Sequence, residues 1–117
     1  MRQVIEFDFA LPGLNGPKGL MREHWSKRKK RKESLVWQLL EKELKSHQGQ
    51  VRITYTRNSP KLMDWFDNLP SSGKILMDAL VGAGVIKDDS PKIIPEAPLL
   101  RQNKGPAWTQ IIIEDCQ

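Results

Sequence analysis

The apolar residues of this 117-residue chain switch repeatedly between a period of two and a period of three to four, and this switching constrains the fold more than any motif. "VIEFDF" (4–9) alternates, with Ile5, Phe7 and Phe9 on one face and Glu6 and Asp8 on the other. Such alternation marks a strand with one buried face. It returns in "VRITYTR" (51–57), where Val51, Ile53 and Tyr55 point inward, and in "AWTQIIIED" (107–115). Between the first two strands, Leu35, Val36, Leu39, Leu40 and Leu44 recur at helical spacing with Trp37 beside them. That stripe predicts a helix over 26–46, with Ser26 as N-cap. A second helix is predicted to start near 70–73 and run to 82, burying Ile75, Leu76, Ala79, Leu80 and Ala83 and stopped by Gly82 and Gly84. "KIIPEAPLLR" (92–101) is extended but holds Pro95 and Pro98, so it reads as an edge or irregular strand, with a turn at "NKGP" (103–106). The order β-α-β-α-β-β predicts an α+β fold (a two-layer α/β arrangement) with a small mixed β-sheet and two main helices packed against it. Residues 1–117 are expected to form a single domain.

A domain of this size buries only about two-thirds of the surface its unfolded chain exposes. A homodimer is therefore a natural way to cover leftover apolar surface. Cys116 is the sole cysteine, so no internal disulfide can form and a reducing, cytoplasmic setting is expected. The first residues already alternate like a strand rather than a signal peptide. No apolar run approaches the roughly 18 residues of a membrane span, so no membrane partner is expected.

The formal net charge is +5, a sign that favours polyanionic partners. Its placement says more. Lys27, Arg28, Lys29, Lys30, Arg31 and Lys32 are consecutive, near the start of the first predicted helix. Cations at a helix N-terminus oppose the macrodipole, so local stability does not select them there. Phosphate contact would, through counterion release; a solvated helix end is the plainer alternative. His24 and Trp25, just upstream, suit stacking on a base or sugar, or for Trp25 a place in the core. The preceding segment "ALPGLNGPKG" (10–19) is a long loop for so small a domain, a length that marks functional or disordered segments.

The acidic residues concentrate elsewhere, in "MDWFDNLPSSGKILMDALVGAGVIKDDS" (63–90). Asp64 and Asp67 precede the second helix, Lys74 and Asp78 lie on it, and Asp88 and Asp89 follow it. Hard divalent cations prefer oxygen ligands, and Mg²⁺ takes one or two carboxylates together with water and substrate phosphate. Such an ion activates water and stabilises charge on a phosphoryl centre, and a lysine can assist. Each residue also has a structural reading: Asp67 and Asn68 as turn and cap, Asp78 as i,i+4 partner of Lys74, Asp88 and Asp89 as loop solubility. One cysteine and two histidines exclude a Cys/His metal site. "SSGK" lacks the earlier glycine and following Ser/Thr of a P-loop.

The pattern Asp67-Asn68-Leu69, Lys74, Asp78-Ala79-Leu80 and Asp88-Asp89 resembles the RusA family of Holliday-junction resolvases. The D-N-L element, the K-x-x-x-D-A-L element and an Asp pair ten residues beyond that last Asp are shared. The early "LPGLNG" loop, the basic helix and the closing strand fall in the same order. Two departures mark this chain: Asp64 and Asp67 are three apart where the family spaces its first aspartates by two, and "PSSG" separates Leu69 from Lys74 where the family has one residue. The resemblance implies a homodimeric, Mg²⁺-dependent (alternatively Mn²⁺-dependent) endodeoxyribonuclease that makes paired nicks in four-way junctions and other branched DNA during recombination and repair, in a phage or prophage setting. It implies Asp67 and Asp89 as metal ligands and catalytic carboxylates, with Asp64 beside them, Asp88 supporting, and Lys74 near the scissile phosphate. Asp78 would orient Lys74 or cap local structure. A junction-binding relative that has lost its metal is the alternative.

Overall fold

The computed structural model describes residues 1–13 and 25–116, apart from the side chains of 25–28 and 31. The expected loop from residue 14 onward and His24 lie outside the described residues, as do the side chains of Ser26 and Trp25. The elements are β1 (Arg2–Phe7), α1 (Trp25–Glu41), β2 (Val51–Ser59), α2 (Asn68–Gly82), β3 (Leu99–Lys104) and β4 (Trp108–Asp115). This is the predicted mixed sheet with two helices. Its strand order is β1-β4-β2-β3, with β4 antiparallel to both β1 and β2, and β3 parallel to β2. A parallel neighbour requires a crossover connection, and α2 with the stretch after it provides one.

The period-two patterns set which face of the sheet is covered. Ile5 and Phe7 of β1, Val51, Ile53 and Tyr55 of β2, and Ile111 and Ile113 of β4 are buried against Leu35 and Leu39 of α1 and Leu69, Ile75, Leu76, Ala79 and Leu80 of α2. Val85, Ile86 and Ile94 close the end of this core. Truncating one such residue to alanine typically costs about 2–5 kcal/mol, so the layer is the main source of stability.

Several boundaries differ from expectation for identifiable reasons. Strand β1 ends at Phe7 rather than 9, and Phe9 instead packs its ring on Phe7 at 5.2 Å. Helix α1 ends at Glu41, not 46, because Glu43 takes the left-handed φ of 53° and the last turn tightens through Lys42 N–H to Leu39 O and Glu43 N–H to Leu40 O. Leu44 is half-buried beyond the helix, while Leu40 and Trp37 remain exposed. Ser26 falls inside α1 rather than before it. Strand β3 starts only at Leu99, paired with Thr54. Pro95 and Pro98 have no N–H to give a ladder, so 92–98 is irregular and the expected turn residues Asn103 and Lys104 belong to the strand.

The two ends of the sheet are tied by polar groups. Arg57, buried on β2, donates its Nε–H to Leu11 O at 2.7 Å, and Thr109 donates its hydroxyl to Phe9 O at 2.6 Å, holding the segment after β1. Burial pushes the Arg57 guanidinium below its ordinary pKa, offset in part by Tyr55. Gly13 sits so close to helix α2 that a Cβ there would lie 2.3 Å from Asn68 Oδ1. At the opposite end His47 is buried, with Nδ1 2.7 Å from Asp115 Oδ1 and Nε2 3.0 Å from Gln3 Nε2. Gln3 also bonds both backbone groups of Lys45 at 2.9 Å.

His47, and after it the chain's amino terminus, hold the Asp115 carboxyl below its ordinary value of 3.8. A lowered carboxyl pKa means that the unfolded chain binds more protons in that range, so this stabilisation is complete above the ordinary value and is lost as pH falls through the folded one. Asp115→Asn should therefore be less stable than wild type at neutral pH. The two denaturation curves should converge in acid, as read by urea unfolding between pH 7 and 2.

Candidate functional site

Helix α2 and its two flanking segments bring the acidic motif together. Before the helix, Met63 is clamped to β3 by Gln102, whose Oε1 accepts the Met63 N–H at 2.9 Å and whose Nε2 donates to Met63 O at 2.8 Å. Residues 65–67 then form a turn. Asp64 organises it. Its Oδ2 accepts the N–H groups of Asp67 at 2.9 Å and Asn68 at 3.1 Å, its Oδ1 accepts from Asn68 Nδ2 at 2.8 Å, and its carbonyl accepts Leu69 N–H at 3.2 Å. Helix N-termini leave orphan donors, and here Asp64 satisfies them from outside, although Asp67 occupies the N-cap position. These donors, the Asn68 side chain foremost, hold the Asp64 carboxyl below its ordinary range. Helix α2 begins at Asn68, earlier than the predicted 70–73, with Pro70 in its first turn, where a missing N–H costs little.

Lys74 and Asp78 are four residues apart and share one face of α2, while Asp67 lies just before the helix at its N-cap. Lys74 Nζ reaches Asp78 Oδ1 at 3.0 Å and makes a tighter contact with Asp89 Oδ2. Asp89 comes within reach because the helix ends abruptly. Gly84 adopts φ 76°, its N–H bonds Val81 O at 3.0 Å, and Val85 N–H bonds Leu80 O at 2.9 Å. This Schellman pair turns the chain back at once, with Val85 and Leu80 in the core. Asp88 then supports the turn, its Oδ1 accepting the Asp89 N–H at 2.9 Å. Lys74 holds the Asp89 carboxyl below its ordinary value, and Asp89 and then Asp78 hold the Lys74 ammonium above its own.

Lys74 and Asp89 stand at a cavity of about 290 Å³ between α2 and the sheet, lined further by Tyr55, Gly73, Met77 and Leu100. The basic run approaches from α1: Lys32 Nζ lies 3.5 Å from Asp78 Oδ2, and Lys29, Lys30 and Lys32 are exposed. The side chains of Lys27, Arg28 and Arg31 lie outside the described set.

Of the sequence-predicted site residues, Lys74, Asp78 and Asp89 form one network, with Asp88 adjacent. Asp64 and Asp67 form a second acidic group at the start of the helix; Asp67 lies seven residues, about 10 Å of helix rise, before Lys74. Among the described residues no three Asp, Glu, His or Cys side chains are gathered as a metal cluster. Sequence reasoning missed the Gln102 clamp, the buried Arg57 and the near-complete exposure of Phe66, none of which has a local sequence signal. Compared with known proteins, the chain matches no family model and no curated protein.

Asp64→Ala should lower the melting temperature by a few degrees, the effect of losing a helix cap. Asp64→Asn, which keeps an acceptor oxygen, should lose less. Differential scanning calorimetry of the three proteins at neutral pH checks this order.

Proposed function

We propose that the chain is a RusA-like, metal-dependent endodeoxyribonuclease acting on branched DNA. The observation that carries this reading is the Lys74 bridge. Asp78 on α2 and Asp89 after it, eleven residues apart, meet on one cation beside a cavity, and Lys32 of α1 reaches the same network. A structural explanation alone would need only one of the two carboxylates.

The donor chemistry fits a hard divalent ion. Asp88 and Asp89 are the carboxylates that would hold Mg²⁺ or Mn²⁺ beside Lys74, and Asp67, in the separate acidic group at the start of α2, would have to be drawn toward them; Mg²⁺ completes its shell with water and phosphate rather than a protein cage. Bound there, the ion would activate water and polarise the phosphorus centre. In the protein itself, Lys74 keeps Asp89 ionised and supplies positive charge where a phosphate oxygen would gather electrons. Lys29, Lys30 and Lys32 would hold the flanking backbone by a salt-dependent attraction. Paired nicks in a four-way junction call for two such sites, hence a homodimer.

A second reading is favoured by one observation: Asp64 is already bonded to the helix amides and Asp89 to Lys74, so the carboxylates are not gathered in advance. On that reading the chain binds junctions without cutting them.

A nicking assay on a synthetic four-way junction with Mg²⁺ or Mn²⁺ separates the two. Wild type should nick, while Asp89→Asn, Asp67→Asn and Lys74→Met should each lose at least about 100-fold in rate and still bind the junction. Binding should weaken steeply with added salt. Tight, salt-sensitive binding without nicking by wild type would establish the second reading.

A further inference from the structure

The turn between Asp64 and Asp67 displays two exposed aromatic side chains. Phe66 is 99% exposed and Trp65 56% exposed. Exposed apolar residues are common singly, but this pair is held out by a built support. Asp64 accepts three N–H groups across the turn, and Gln102 clamps Met63 to β3 with two further hydrogen bonds. The backbone of the turn is therefore held in place, so the positions from which the two rings project are set in advance. Ordering in advance lowers the entropic cost of a contact.

The chemistry around the tip narrows what that contact is. Asp64 and Asp67 flank the two rings, so a phosphate is not the group that meets them directly. Behind the turn the surface is cationic: Lys61 and Lys104 are exposed, and Lys104 is in register with Ser59, whose hydroxyl accepts the Lys61 N–H at 3.4 Å. A second copy of the chain would have to cover ground well beyond the two rings. A Phe and a Trp bury about 150–250 Å² each, whereas a stable interface needs about 800 Å² from each partner. A base needs only a ring face to stack on, with cations nearby for the backbone.

We infer that Trp65 and Phe66 form a stacking platform for an unpaired nucleobase, so that single-stranded or unpaired DNA is read at the start of α2. The inference rests on the nucleic-acid side of the proposed function and not on its chemistry. In that setting the platform would hold an unstacked base at the point of a branch, next to the carboxylates of the same turn.

The test is binding of a fluorescein-labelled oligothymidylate to the full chain in EDTA, where no metal chemistry contributes. Phe66→Ala should weaken binding at least about tenfold, as should Phe66→Leu, which keeps apolar bulk but no ring, while Phe66→Tyr should bind like wild type. Because position 66 is fully exposed, all three should melt within a degree or so of wild type. Unchanged affinity in Phe66→Ala overturns the inference. So does a wild-type dimer that Phe66→Ala converts to monomer in sedimentation equilibrium without loss of DNA affinity. Junction nicking in Mg²⁺ is read in parallel. Nicking with ring-independent oligothymidylate binding removes the platform and leaves the nuclease; ring-dependent binding without nicking supports the platform and removes the nuclease.

Discussion

Every feature of the candidate site depends on where helix α2 rests on the sheet, and Tyr55 decides that. Its ring lies against Gly73, where a Cβ would come within 3.4 Å, and its hydroxyl is 2.8 Å from Ser72 Oγ. Ser72 in turn donates to Leu69 O at 2.7 Å. The helix backbone at Gly73 faces the ring, and the serine supplies the partner that a buried phenol requires. Burial raises the Tyr55 pKa, with Ser72 and Arg57 opposing that shift, so the phenol remains a neutral hydrogen-bonding group. With the helix docked at Ser72 and Gly73, Lys74 must emerge at the edge of the sheet. Its charge then stays in solvent while its stem lines the cavity.

The acidic residues are stabilised in two different currencies. Asp64 is satisfied by backbone and amide N–H groups, Asp89 by a lysine. The first arrangement belongs to folding: it ties up the orphan donors of a helix end, and its removal is felt as lost stability. The second contributes little to stability, because exposed ion pairs are worth only about 0–1 kcal/mol. A lysine between two carboxylates, one of which a second lysine also approaches, concentrates charge beside the cavity. The proposed function rests on that concentration rather than on any gain in stability.

Much of this was legible in the sequence, and the limits have physical causes. The strands were plain because β1, β2 and β4 each have one covered face, so their residues alternate. The meeting of Lys74 with Asp78 follows from i,i+4 spacing, and the abrupt stop of α2 from Gly84. The start of α2 was not legible, since its cap reaches across a turn from Asp64 and depends on the conformation of 65–67. The end of α1 was hidden because Leu44 continues the apolar spacing after the backbone has already left the helix at Glu43. Pro95 and Pro98 did announce an irregular strand, but not that pairing would wait until the second proline had passed. The turn at 65–67, which leaves Trp65 and Phe66 facing outward, was not legible either, because it depends on the hydrogen bonds of Asp64.

That turn has a consequence for the whole edge of the domain. An unpaired buried carboxylate costs far more than an exposed ring. The chain therefore folds the carboxylate of Asp64 back onto the helix amides and leaves both rings in water. Gln102 is what keeps this solution from fraying, because it anchors Met63 to β3 just before the chain turns. The edge strand is thus part of the site although it carries none of the acidic motif.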